Sequence, residues 1–361
     1  MIIKQMTINR KRLQDKIEAL NKIGKLGETG VRRLALSKEY REGIDLVKTW
    51  MDEIGLKTRV DHFGNLFGRL EGKDPNAPVV MIGSHIDSQP NGGRFDGTIG
   101  VLGALETVQT MIESNHTPEV PIEIVAFCDE EGFRFNTGVF GSRGITGKWT
   151  EDDLKRSDQD GMSRRDALIE FGADPNRLKE SEYAKGSIAS FIEMHIEQGP
   201  VLEAKNLPVG IVTGIAGPLW LTVELTGFAG HAGTVPMALR QDALVGTAKI
   251  ITALNDIVKQ EDDAPTVGTV GNIEVEPGAR AVIPEKVTFT IDLRDTDINR
   301  RNRYEHELRD VIDRVARENG LSYQITEDSN ILPENCSKDI IQLMRDESTA
   351  MGLAQVPELM S

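Results

Sequence analysis

Two apolar runs that end in metal-competent side chains constrain this chain more than any other feature. Val79-Val80-Met81-Ile82 leads into His85-Ile86-Asp87, and Ile122-Glu123-Ile124-Val125-Ala126-Phe127 leads into Asp129-Glu130-Glu131-Gly132. Each run reads as a strand buried on both faces, as in a parallel sheet. In such sheets chemistry gathers outside the carboxyl ends of the strands. Between the two runs lies the Gly-rich segment Asn91-Gly92-Gly93-Arg94-Phe95-Asp96-Gly97, and a third apolar stretch, Ser190 to Met194, leads into His195-Ile196-Glu197-Gln198-Gly199. Imidazoles and carboxylates so placed suit zinc, manganese or cobalt.

The remaining sequence narrows the class. With 361 residues, 39% hydrophobic and 27% charged, there is material for two domains and a sizeable core. A net charge of -15 disfavours nucleic acid and anionic membrane as partners. No apolar run reaches membrane-spanning length, and Met1-Ile2-Ile3-Lys4-Gln5 lacks the apolar core of a signal peptide. Cys128 and Cys336 cannot make a disulfide framework, and a cytoplasmic location is expected.

Residues 9–24 read as an amphipathic helix, and Ser37 as the N-cap of a second helix that stops at Gly55. Residues 57–70 alternate around Gly64-Asn65, a hairpin signal, and residues 98–113 read as a helix. Segment 150–187 is polar enough to be surface helices and loops. Beyond about residue 216 the pattern becomes strand Leu219–Leu225, helix Ala238–Lys259, strands Thr266–Glu276 and Lys286–Leu293, helix Asn299–Asn319 and strand Leu321–Glu327. This β-α-β-β-α-β order is ferredoxin-like. The expected fold class is α/β: a metal-bearing catalytic domain of residues 1–215 and 330–361, with an inserted ferredoxin-like dimerisation domain at 216–329.

His85 and Asp87 lie two apart on an extended strand end, so one can ligate while the Asp87 carboxylate orients the imidazole. Glu130 and Glu131 are adjacent, so one can ligate while the other moves a proton. His231, in Gly230-His231-Ala232-Gly233, can stabilise an oxyanion or be a plain surface histidine. Arg294 can clamp a carboxylate or pair with a neighbouring Asp.

The motifs GSHIDS at 83–88, GGRFDG at 92–97, FCDEEGFRF at 127–135, GSRGITG at 141–147, MHIEQG at 194–199, GHAGTVPM at 230–237 and RQDAL at 240–244 carry a family resemblance. The chain resembles the amidase branch of the metal-dependent aminoacylase/carboxypeptidase superfamily. That branch contains N-carbamoyl-L-amino-acid hydrolases, allantoate amidohydrolases and β-ureidopropionases. The resemblance implies two divalent metal ions per subunit, with His85, Asp96 and His195 around one, Asp96 bridging, and Glu131 on the other. It further implies Glu130 as general base in a site supported by Asp87, with Gln198, His231 and Arg294 as substrate-binding residues. The substrate it implies is a small carbamoyl or ureido acid, and the assembly a homodimer in which His231 serves the neighbouring subunit.

Two departures from the branch stand out. Ala281, beside Arg280, occupies the place of a substrate-holding Asn, and no His follows His306, where relatives carry a further metal ligand. The expectation is therefore one tightly held metal and little turnover for this 361-residue chain. Carbamoyl hydrolysis is the leading function. Allantoate hydrolysis, dipeptide or acyl-amino-acid hydrolysis, and a non-catalytic binding or dimerisation protein are the alternatives.

Overall fold

The computed structural model describes residues 6–262, 264–353 and 356–360, so the readings made on Met1–Gln5 and on Ser361 lie outside it. The chain forms two compact units, Met1–Ile196 and Glu197–Ser361.

The first unit is a mixed five-stranded sheet with helices. Its main elements are α1 (Arg10–Leu20), α2 (Lys38–Glu53), β1 (Lys57–Val60), β2 (Leu66–Leu70), β3 (Val79–His85), α3 (Thr98–Glu113), β4 (Ile122–Phe127), α4 (Arg164–Phe171) and β5 (Ile188–Ile192). The strand order is β1-β2-β4-β3-β5. β3 runs parallel to both β4 and β5, with His85 opposite Phe127, so the ends of the two apolar runs lie side by side. β1 and β2 form the expected hairpin. Its turn is held by the Asp61 carboxylate, which accepts from Phe63 N and Asn65 N at 2.9 Å each and from Asn65 Nδ2 at 2.9 Å.

α1 ends at Leu20, earlier than the pattern suggested, because Asn21 caps it and the chain turns into a short strand at Lys25–Leu26. α2 starts as read, with the Ser37 side chain accepting from Tyr40 N. Its inward face buries Ile44, Val47 and Met51. Segment 150–187 is not confined to the surface: Leu154, Ala167, Leu168, Phe171 and Leu178 enter the core. Arg164 is buried with them.

The second unit holds the ferredoxin-like sandwich and a small sheet. Its elements are β6 (Ile211–Ile215), β7 (Gly217–Thr226), β8 (Gly230–His231), α5 (Ala243–Ile257), β9 (Val267–Thr269), β10 (Ile273–Glu276), β11 (Val282–Ile283), β12 (Lys286–Asp295), α6 (Ile298–Glu318), β13 (Ser322–Asn330), β14 (Glu334–Asn335), α7 (Lys338–Ala350) and β15 (Glu358–Met360). The main sheet runs β9-β12-β7-β13, all antiparallel, with β10 also on β12. Alternate residues Leu219, Leu221, Val223 and Leu225 face inward against Ile250 and Leu254 of α5 and Leu308 and Ile312 of α6.

The expected strand 266–276 is two strands, broken where Asn272 N donates to Thr290 Oγ1 at 3.1 Å. The expected helix 238–259 begins at Ala243 instead, because Asp242 caps it by accepting from Leu244 N and Val245 N. Beside the sandwich, β14-β6-β15 form a three-stranded sheet. Packing thus divides the chain after residue 196 and gathers 211–215 with 334–335 and 358–360, whereas the sequence reading divides it at 215/216 and returns 330–361 to the first domain. Among the described residues, no helix is long and apolar enough to cross a membrane.

Candidate metal centre

Strand ends of the first unit bring three of the expected ligands together. His85, Asp96 and His195 present ligand atoms that all lie within 4.8 Å of one another. Asp96 Oδ1 is 3.1 Å from His195 Nε2 and 3.9 Å from His85 Nε2. His85 closes β3, Asp96 sits in the Gly-rich loop ahead of α3, and His195 follows β5.

Both imidazoles are oriented for ligation. His85 Nδ1 lies 3.0 Å from the Asp87 carbonyl oxygen, and His195 Nδ1 lies 3.0 Å from the Ile196 carbonyl oxygen. A carbonyl only accepts, so in both rings Nδ1 carries the proton, and a neutral ring turns the lone pair of Nε2 toward Asp96. That donor set, two imidazole nitrogens and a carboxylate oxygen, fits a divalent transition ion. Gly97 makes the packing possible. It adopts φ 60, and a Cβ there would lie 2.4 Å from the His85 ring.

His85 is 2% exposed. Burial alone would lower its pKa, but the charges of Asp87, Glu130 and Glu131 outweigh that and raise it. The Asp96 hydrogen bond pushes His195 up to about 9 against its own burial. Metal binding therefore competes with a proton on this pair.

The hydrogen bond to His85 Nδ1 goes to the Asp87 backbone carbonyl, with the Asp87 carboxylate Oδ1 farther off at 3.8 Å. The carboxylate also reaches the acidic turn, accepting from Glu130 N at 3.3 Å and Glu131 N at 3.2 Å. Burial pushes it up to about 7.

The two glutamates are separated by the turn itself rather than by strand alternation. Asp129 adopts φ 56, which reverses the chain. Glu130 Oε2 lies 3.5 Å from His85 Nε2 on the more open side, its side chain 39% exposed. Glu131 is held by Gln89, whose Nε2 donates to Oε2 at 2.7 Å and whose N–H donates to Oε1 at 3.3 Å.

The other expected site residues belong to the second unit. Gln198 sits at φ 53. His231 lies on β8 opposite Val282 of β11, and its Nδ1 accepts from Gly233 N at 3.1 Å, so a neutral ring offers Nε2–H as a donor. Arg294 pairs bidentately with Asp292, at 2.9 Å through Nε and 2.8 Å through Nη2.

Two buried arginines near the site were not singled out from the sequence. Arg164 Nη2 donates to Asp129 Oδ2 at 2.8 Å and to the Thr137 carbonyl at 3.1 Å, bracing the acidic turn. Arg33 donates to the Ile86 carbonyl at 2.6 Å, and burial draws it down to about 10. A signal for Arg33 existed: Val31, Arg33 and Ala35 alternate with more exposed residues, which puts Arg33 on the inner face. Cys128 is buried core, as its apolar strand suggested.

Imidazoles and carboxylate converging at strand ends, in a chain that also carries a ferredoxin-like sandwich, are the construction of a metal-dependent hydrolase. The chain belongs to peptidase family M20/M25/M40, whose model matches residues 81–359. It is 50% identical over 345 residues to an N-carbamoyl-L-amino-acid amidohydrolase of Pseudomonas sp. (strain NS671), covering 95% of this chain and 83% of that protein. Allantoate amidohydrolase of Bacillus subtilis (strain 168) is 36% identical over 333 residues, covering 91% and 80%. A crystal structure of a hydantoinase/carbamoylase family amidase from Burkholderia multivorans superposes with TM-score 0.89 at 35% identity, covering 99% of this chain and 85% of that one.

Proposed function

We propose that this chain hydrolyses the carbamoyl C–N bond of N-carbamoyl-L-amino acids. The observation that carries the reading is the 50% identity to an N-carbamoyl-L-amino-acid amidohydrolase across 95% of the chain. The converging His85, Asp96 and His195 support it. A divalent ion held by these three would supply Lewis-acid activation of water and of the substrate carbonyl. Zinc, manganese or cobalt fits the donor set, and Glu131 is the proposed ligand for a second ion.

The remaining chemistry falls to the chain's own groups. Glu130, on the open side of the cluster, takes a proton from water and returns it to the departing nitrogen. Asp87 holds the acidic turn by its two backbone N–H groups and so keeps Glu130 in place. Gln198, His231 and Arg294 are proposed to bind substrate. His231, with Nε2–H as donor, is proposed to serve the neighbouring subunit of a homodimer. A cytoplasmic location belongs to the same proposal.

Assays with N-carbamoyl-L-amino acids, allantoate and dipeptides, each with zinc, manganese or cobalt added, test the reading. Whatever the absolute rate, turnover of the carbamoyl substrates is expected to exceed that of the others. Preferential turnover of allantoate or of dipeptides overturns the substrate assignment. Glu130→Gln should cut turnover by about a hundredfold or more and leave metal content nearly unchanged. Loss of metal instead would mean that Glu130, which lies nearer His85, is itself a ligand.

A further inference from the structure

We infer that Arg33 is a positioning residue for the metal centre: its guanidinium fixes the strand end that carries His85 against the helix start that follows Asp96. The inference rests on the reading of His85, Asp96 and His195 as ligands.

Arg33 is 1% exposed. Its Nε donates at 2.6 Å to the carbonyl of Ile86, the residue between His85 and Asp87. Its Nη2 donates at 3.4 Å to the hydroxyl of Thr98, two residues after Asp96 and the first residue of α3. Its Nη1 donates to the carbonyls of Leu20 and Ile23 at 3.1 Å each, which anchors the fork to the end of α1. One planar group therefore spans three chain segments, a task a lysine ammonium on a flexible stem cannot reproduce.

The main chain of Arg33 reinforces the hold. Its N–H donates to Ser88 Oγ at 2.9 Å, and its carbonyl accepts from Ser88 N at 3.0 Å. Side chain and backbone together grip residues on both sides of Asp87. The adjoining strand Gly30–Val31 pairs with Gly92–Gly93 of the metal loop. Gly43 of α2 packs on the Arg33 stem, with Cδ 3.0 Å from where a Cβ would be, so the guanidinium has little room to withdraw.

The partners of the Arg33 side chain are three carbonyls and a hydroxyl, none of them a candidate ligand. Its effect on the site is nonetheless direct in geometry. The separation of His85 Nε2 from Asp96 Oδ1, 3.9 Å, is set by the same two segments that the fork joins. Movement of residues 86–88 would also shift Asp87, and through it the amides of Glu130 and Glu131.

The test uses the full chain, stripped with chelator and titrated with manganese or zinc against a chromophoric chelator. Arg33→Lys, Arg33→Met and the parent are compared, with the Tm of each metal-free protein measured alongside. Metal affinity should fall about tenfold or more in Arg33→Met, the range seen when groups that orient ligands are removed. Arg33→Lys should fall between Arg33→Met and the parent. In turnover, kcat should fall while KM changes little. A lowered Tm with metal affinity within about twofold of the parent would assign Arg33 to stability alone and overturn the inference. If both variants fail to fold, Thr98→Val decides, because it deletes one acceptor and leaves the fork in place. It should weaken metal binding, and unchanged affinity overturns the inference. A parent that binds neither ion sinks the ligand reading and this inference together; a parent that binds tightly beside unaffected variants sinks this inference alone.

Discussion

Three buried carboxyls of the first unit and one of the second are held in opposite ways. In the first, burial pushes the carboxyls of Asp61, Asp87 and Asp129 up to about 6, 7 and 6. In the second, Asp295 is fully buried, yet its carboxyl is held below the ordinary value. Burial works against that ionised form, but hydrogen bonds from Arg300, Asp297 N and Thr266 prevail, the Arg300 pair at 2.6 Å. Asp87 and Asp129 stay under stress near the metal-competent cluster, while Asp295 of the second unit, like Glu106 of the first, is balanced by an arginine and serves as a structural rivet. Stress of the first kind gathers at functional sites, although Asp61 shows that a structural turn can carry it too.

The largest test of this contrast is Arg164→Met. Arg164 and Asp129 are both almost solvent-free, so removing the cation strands a buried carboxylate. A loss of about 3–5 kcal/mol in urea unfolding is expected. Adding Asp129→Asn should recover part of it. A loss below about 1 kcal/mol would mean that Asp129 is already neutral and that the pair is no brace.

Arg300→Met is the matching experiment in the second unit. Arg300 is partly open to water, so the expected loss is smaller, about 1–3 kcal/mol, from an acceptor left short of a donor. Trp220 lies in this unit and Trp50 and Trp149 in the other, so single-tryptophan variants report the two losses separately.

Smallest, and most discriminating in sign, is the response to acid. Asp61 has its folded pKa raised from 3.8 to about 6, so holding it ionised costs stability above pH 6. That cost fades as the pH falls from 6 toward 3.8, and the parent should gain on Asp61→Asn across this window. Asp295 has its folded pKa lowered from 3.8, so its contribution is present above 3.8 and is lost as the pH falls below it. The parent's advantage over Asp295→Asn should shrink only there. Slopes of the same sign in both units would break the comparison.

Much of this was legible in the sequence, for reasons that particular residues make plain. Alternation along Leu219–Leu225 and Lys286–Leu293 announces strands with one buried face, and the helices between them complete the ferredoxin-like order. His85 and His195 follow apolar stretches, so their placement at neighbouring strand ends is a topological consequence. What stayed hidden depends on single torsions and on tertiary partners. The left-handed Asp129 decides where Glu130 and Glu131 point, and nothing in Asp-Glu-Glu-Gly states it. Arg164 sits in Ser163-Arg164-Arg165-Asp166, where the buried arginine and its half-buried neighbour are the same residue type. Extended alternation places the Asp87 carboxylate near the imidazole, 3.8 Å from Nδ1, but does not announce that the same carboxylate takes the two N–H groups of the acidic turn.

The sheet order of the first unit also has a temporal meaning. β5 is an edge strand, and it carries the chain directly into His195. A growing chain thus possesses His85 and Asp96 a hundred or so residues before the donor that completes their set. An ion that engages all three would fasten the end of the last strand to add and so oppose fraying of this edge.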